Sequence, residues 1–143
     1  VNWNAILQKE EIMSKATKPD ARARNVFGEP LVACCFDPMT GYFRDGSCRT
    51  DEHDLGSHTL CAQMTEEFLR FSAQQGNDLV TPRPQLGFPG LKPGDCWCVC
   101  ALRWLEAQRE GYAPPVKLES THVRVLDYIP LDVLERYALD YMV

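Results

Sequence analysis

Apolar residues recur with a helical period most clearly between residues 59 and 75. Leu60, Met64, Phe68 and Phe71 fall at steps of four, four and three, Ala62 and Leu69 widen the stripe, and Gly76 supplies a stop. This pattern predicts a helix over 59–75 with its apolar face in the core, capped at its start by Ser57 or Thr59. A second helix is expected over 100–110, closed by Gly111. Its start has two readings. Cys98, Ala101, Leu102 and Leu105 sit at i, i+3, i+4 and i+7, which would begin the helix near an Asp95 cap; alternatively Asp95–Val99 is a strand. We favour a short extended piece followed by helix. Pro130 in the first helical position opens a last helix through Ala138. Leu31–Phe36, Thr40–Arg44 and Val116–Glu119 read as strands, Asp45-Gly46 as a tight turn, and Val123–Ile129 fits either period.

Residues 76–95 hold eight Gly or Pro, a density that forbids helix and interior strand alike. Long irregular segments inside a compact domain are often functional. Asn77, Asp78, Arg83 and Phe88 are therefore candidate surface residues of this loop. At the other end of the chain, residues 1–14 place Trp3, Ile6, Leu7 and Met13 near one helical face, and 15–24 form a polar linker. The expected organisation is an N-terminal helical arm and linker over 1–24 and a single domain over 25–143. Helices and short strands mix without a βαβ rhythm, which predicts α+β: a small two-layer domain with a short sheet packed by two to three helices. Trp97 and Trp104 read as core anchors; Trp3 has little core of its own and reads as docking on a partner.

Composition bounds the function. The 143 residues, 45% apolar and 24% charged, suit one globular domain with a real core. No apolar run approaches the ~20 residues of a membrane span. The net charge is −5 and the arm carries +2, which leaves −7 on the body; scattered Lys and Arg on an acidic body argue against a nucleic-acid groove. The chain begins at Val1, read as a processed or trimmed end. Seven cysteines are an odd number, so at least one thiol is unpaired. With an adequate core, that predicts reduced thiols in a reducing compartment, either the cytoplasm or an organelle interior after removal of a targeting segment.

Several long motifs carry a family resemblance: Asn25–Leu31 (NVFGEPL), Asp37–Cys48 (DPMTGYFRDGSC), Gly56–Ser72 (GSHTLCAQMTEEFLRFS), Gly76–Pro84 (GNDLVTPRP), Phe88–Trp104 (FPGLKPGDCWCVCALRW) and Ala113–His122 (APPVKLESTH). In this order, over about residues 25–138, they resemble the uncharacterised bacterial domain family numbered 2237 among domains of unknown function. The resemblance implies a small α+β two-layer domain and supplies no activity. It implies a pattern of Cys34, Cys48, Cys61, Cys98 and Cys100 with His58 and His122. Cys35 and Cys96 depart from that pattern, and the arm lies outside it.

Weighed as chemistry, Cys48, His58, Cys61, Cys98 and Cys100 are the candidate metal or thiol site, with zinc the ion such donors would take. The spacing is poor for it: His58-x₂-Cys61 is one loose knuckle and Cys98-x-Cys100 is too tight for another. Redox pairs usually read C-x-x-C; in an extended segment the Cα atoms of Cys98 and Cys100 lie about 6.5–7 Å apart, near the upper limit for a disulfide. Asp54, Ser57, His58 and Cys61 are close in sequence but form no complete catalytic set, and no catalytic residue is assigned. Two classes remain. The favoured one is a non-catalytic interaction protein, an accessory subunit of a larger assembly without a cofactor, meeting other subunits through the arm and the Gly/Pro-rich loop. The alternative is a small metal-binding or thiol-redox protein.

Overall fold

A computed structural model describes residues 22–139 of the chain. The arm residues Trp3, Ile6, Leu7 and Met13, expected to bind a partner, lie outside the described residues. The order of elements is β1 (Leu60–Gln63), α1 (Glu66–Gln74), β2 (Cys96–Val99), α2 (Ala101–Glu110) and α3 (Leu131–Glu135), with three short 3₁₀ turns at Pro84–Leu86, Leu118–Ser120 and Val123–Asp127. The fold is α+β. Its one named sheet among the described residues is the antiparallel pair β1–β2, in the register Leu60↔Val99, Cys61↔Cys98, Ala62↔Trp97, Gln63↔Cys96.

That register divides the molecule. Partners directly opposite one another share a face, and faces alternate along each strand. Leu60, Ala62, Trp97 and Val99 turn to the main core with Phe68, Trp104, Leu118, Ile129 and Leu134. Cys61, Cys96 and Cys98 turn to a second, sulfur-rich cluster with Cys34 and Cys48. On the core side, Trp104 of α2 is fully buried, meets Tyr137 edge-on at 5.1 Å, and donates its indole N–H to the Pro114 carbonyl at 3.0 Å. Arg103 reaches back to the Gln75 carbonyl and ties α2 to the end of α1.

Four expectations need correction. The helix over 59–75 is a strand followed by a helix: β1 ends at Gln63, and α1 starts only at Glu66, where Thr65 rather than Ser57 or Thr59 caps it by accepting the Phe68 N–H at 3.1 Å. β1 is buried on both faces, so its apolar residues do not alternate with polar ones and merge with the stripe of the helix. Leu31–Phe36 is not a strand, because its N–H groups go to separate places: Leu31 to Ala23, Val32 to Glu119, and Cys34 and Cys35 both to Gly46. Thr40–Arg44 is a run of turns, with φ of +103° at Gly41 and +55° at Arg44, which an extended strand does not allow. From Val116–Glu119 only Val116 bridges its neighbours; the 3₁₀ turn at Leu118 follows at once.

Other expectations hold. The extended piece before α2 is β2, and Gly111 closes α2 in the left-handed conformation with its N–H on Gln108. The buried face of α2 is Ala101, Trp104 and Ala107, while Leu102 is over half exposed, because the chain leaves strand geometry at Cys100 and the helical phase starts afresh there. The last helix departs from expectation: α3 ends at Glu135 and not Ala138, and Pro130 is its N-cap in extended geometry and not its first helical residue.

Replacing Trp104 by Ala should lower the unfolding free energy by about 3–5 kcal/mol through the cavity it leaves. Urea denaturation measures this; a loss under about 1 kcal/mol would mean that the aromatic face of α2 is not the centre of the core.

Candidate functional site

Chemistry concentrates on the sulfur face of the sheet. Cys61 and Cys98 stand opposite one another, and each N–H points away from the partner strand to a threonine hydroxyl: Cys61 to Thr121 at 3.2 Å, Cys98 to Thr40 at 2.8 Å. This is the geometry of a non-hydrogen-bonded antiparallel pair, in which side chains approach most closely. Cys61 and Cys98 are each bonded to a cysteine of the irregular segment that precedes β1. Cys34 pairs with Cys61, Cα to Cα 5.7 Å, and Cys48 with Cys98, 5.3 Å. The connectivity is crossed, because residues 48–61 lie within both covalent loops. The sulfurs of Cys34, Cys48 and Cys61 all lie within 4.8 Å of one another, so the two disulfides are neighbours. All four cysteines are buried. Cys96 packs in the same cluster as a buried free thiol, Cys35 packs against it half-buried, and Cys100 is free and half-buried at the cap of α2.

The expectation of reduced thiols is thus corrected. An odd count requires one unpaired cysteine but is equally consistent with two pairs and three thiols. Of the candidate set Cys48, His58, Cys61, Cys98 and Cys100, the fold brings Cys48, Cys61 and Cys98 together and leaves His58 and Cys100 apart. It adds Cys34, which the resemblance implied and the spacing argument passed over, and the threonines at 40 and 121, for which the sequence holds no signal.

The disulfides close a loop of irregular chain over 34–48. Inside it, the Gly46 carbonyl accepts from Cys34 at 2.7 Å and Cys35 at 3.1 Å, the Gly46 N–H returns to Thr40, and the Asp37–Pro38 peptide is cis. Asp45 accepts from the Ser47 N–H and pairs with the Arg49 guanidinium at 2.8 Å. That guanidinium lies 4.9 Å over the Phe43 ring, and Arg44 lies 5.1 Å over Trp97. A loop held this firmly still presents Phe36, Met39, Tyr42 and Phe43 to solvent, each 38–44% exposed.

His58 makes a separate pair. Its Nδ1 lies 2.7 Å from Asp54, a carboxylate fully removed from solvent that also takes the Thr50 hydroxyl and the His58 N–H. A nucleophile is not delivered to this pair: the Ser57 hydroxyl is engaged with Thr59, and Cys61 is in a disulfide. In the 76–95 segment, Asp78 accepts from the Val80 and Thr81 N–H groups and the Thr81 hydroxyl, which hold its carboxyl below the usual range, the hydroxyl contributing most. Asn77 bonds with Ser72, and Arg83 bridges Phe88 through the backbone. Phe88, expected at the surface, is buried against Trp97 at 5.3 Å.

A profile of the family described as "Uncharacterized protein conserved in bacteria (DUF2237)" matches residues 24–138. The chain belongs to this family. A search of curated proteins finds no match. The whole sulfur cluster, the clamped loop and His122 fall inside the stretch that matches the DUF2237 family.

His122 is buried and structural. Its N–H bonds to Thr59, and its Nδ1 accepts the Arg124 N–H at 3.0 Å, which requires the ring nitrogen to be unprotonated. Burial, and secondarily the Arg124 charge, hold its pKa below the ordinary histidine value. Below about pH 6.5 the unfolded chain takes up a proton that the folded chain refuses, so stability falls with acid until the pH passes the folded pKa, and then the loss levels off. Denaturation midpoints between about pH 8 and pH 5 should therefore decline on acidification, and decline less in His122→Asn; identical pH slopes in the two proteins would remove His122 from this role.

Proposed function

We propose that the domain is a non-catalytic protein-interaction module, an accessory subunit of a larger assembly, and that it meets its partner through the cysteine-clamped loop. The observation that carries this reading is the exposure of Phe36, Met39, Tyr42 and Phe43 within eight residues of a loop anchored at both ends by buried disulfides. Aromatic and methionine side chains are enriched at the centres of protein interfaces. A loop already fixed by covalent bonds loses little further freedom on binding, so more of the contact energy appears as affinity. The arm with Trp3, Ile6, Leu7 and Met13 is the second surface that the reading uses. Two disulfides favour a compartment in which thiols are oxidised, in place of the reducing one that the odd cysteine count suggested.

The test compares the native chain with Tyr42→Ser/Phe43→Ser, each expressed in its source cell and separated by size under native conditions. The native chain should migrate in a species much larger than 16.2 kDa, and the variant should leave it while keeping its own unfolding transition. A variant that stays in the large species, or a native chain that migrates as a monomer, contradicts the reading.

A further inference from the structure

The sulfur cluster has a second use that the disulfides conceal. We propose that Cys34, Cys48, Cys61 and Cys98 form a redox-interchangeable metal site, a double disulfide when oxidised and a tetrathiolate centre for one zinc-like divalent ion when reduced.

Geometry carries the argument. Three of the four sulfurs lie within 4.8 Å of one another, and the fourth, on Cys98, is bonded to a member of that triad. A tetrahedral thiolate ion with metal–sulfur bonds of about 2.3 Å sets its sulfurs about 3.8 Å apart. The three sulfurs of the triad are thus close enough together to reach a single ion once the disulfides are opened. The ligands come from rigid places: two face one another across β1 and β2, and two stand at the ends of the clamped loop. All four are at most 6% exposed, so a bound ion would be shielded from water, as in closed structural sites. Four sulfurs and no oxygen or imidazole donor select a soft or borderline ion over calcium or magnesium. His58 and Cys100 have no place in the site.

The exchange balances with a dithiol as reductant. Two dithiol molecules each pass two electrons and two protons to one protein disulfide and become cyclic disulfides. The four cysteine thiols so formed release four protons to solvent as the ion binds. The ion then takes over the role of the two cross-links, holding both ends of the loop to the sheet. This inference is independent of whether the loop binds a partner.

The experiment uses the full chain, reduced anaerobically with dithiothreitol, freed of reductant and titrated with cobalt(II). Visible absorption of a tetrahedral tetrathiolate ion should grow to saturation at one cobalt per chain, and zinc should displace it. The unreduced chain should give no such bands. Cys35→Ser/Cys96→Ser/Cys100→Ser should bind as the parent does, while Cys34→Ser and Cys48→Ser should each lose the tetrathiolate spectrum. A reduced chain that takes up no cobalt, folded or unfolded, overturns the proposal. So does uptake that survives Cys34→Ser and Cys48→Ser, or that the triple variant abolishes, because other thiols would then be the ligands.

Discussion

Cys61 and Cys98 face one another across a two-stranded sheet, and each is covalently joined to one end of an irregular loop. A two-stranded sheet is marginal by itself and needs cover on both faces. The aromatic and aliphatic core covers one face, while sulfur covers the other. Residues 34–48 contain no helix or strand, so their position depends on the disulfides, the Gly46 carbonyl and the Thr40 contact to β2. On the chain-entropy account, cross-links enclosing a few tens of residues stabilise a fold by about 3–4 kcal/mol each, less when the loops overlap as these do. The same bonds that complete the small sheet also hold out an aromatic loop.

The way the sheet partitions side chains sends sulfur to one face and aromatic and aliphatic groups to the other. Cysteines at alternate positions in β2, Cys96 and Cys98, share one face, and Trp97 between them enters the core. What looks in sequence like a reactive C-x-C-x-C run is a strand with sulfur on one side, followed by Cys100 at a helix cap. Polar groups near the sheet also hold the backbone: Asp54 organises a turn by accepting from the Thr50 hydroxyl and the His58 N–H and pairing with the His58 ring, and His122 accepts a backbone N–H.

Legibility in the sequence followed physical range. Elements with a local signal are readable: α2 up to its Gly111 stop, the extended segment before it, and the non-repetitive 76–95 stretch. β1 is not, because a strand buried on both sides has no alternation and its apolar residues continue the helical stripe of α1. The loop 34–48 looked like strands because its residues have β propensity, yet Gly41 and Arg44 at positive φ, and cysteines bonded to distant segments, dictate turns. The candidate site was half visible: Cys48, Cys61 and Cys98 were named, but crossed pairing depends on three-dimensional register, which cysteine spacing does not encode. Phe88 sits among Gly and Pro residues that suggest a surface position, and its packing on Trp97, nine residues further along, is set by the path of the loop rather than by its composition.

Direct mapping of the cysteines tests the central constraint. Protein purified in air, alkylated without reduction, digested and sequenced by tandem mass spectrometry should yield peptides joining Cys34 to Cys61 and Cys48 to Cys98, with alkyl groups only on Cys35, Cys96 and Cys100. Fragment ions that break the chain between Cys34 and Cys35 assign the first pair. A Cys35 cross-link, a direct Cys61–Cys98 bond, or seven alkylated cysteines in the folded, metal-free protein would contradict the account.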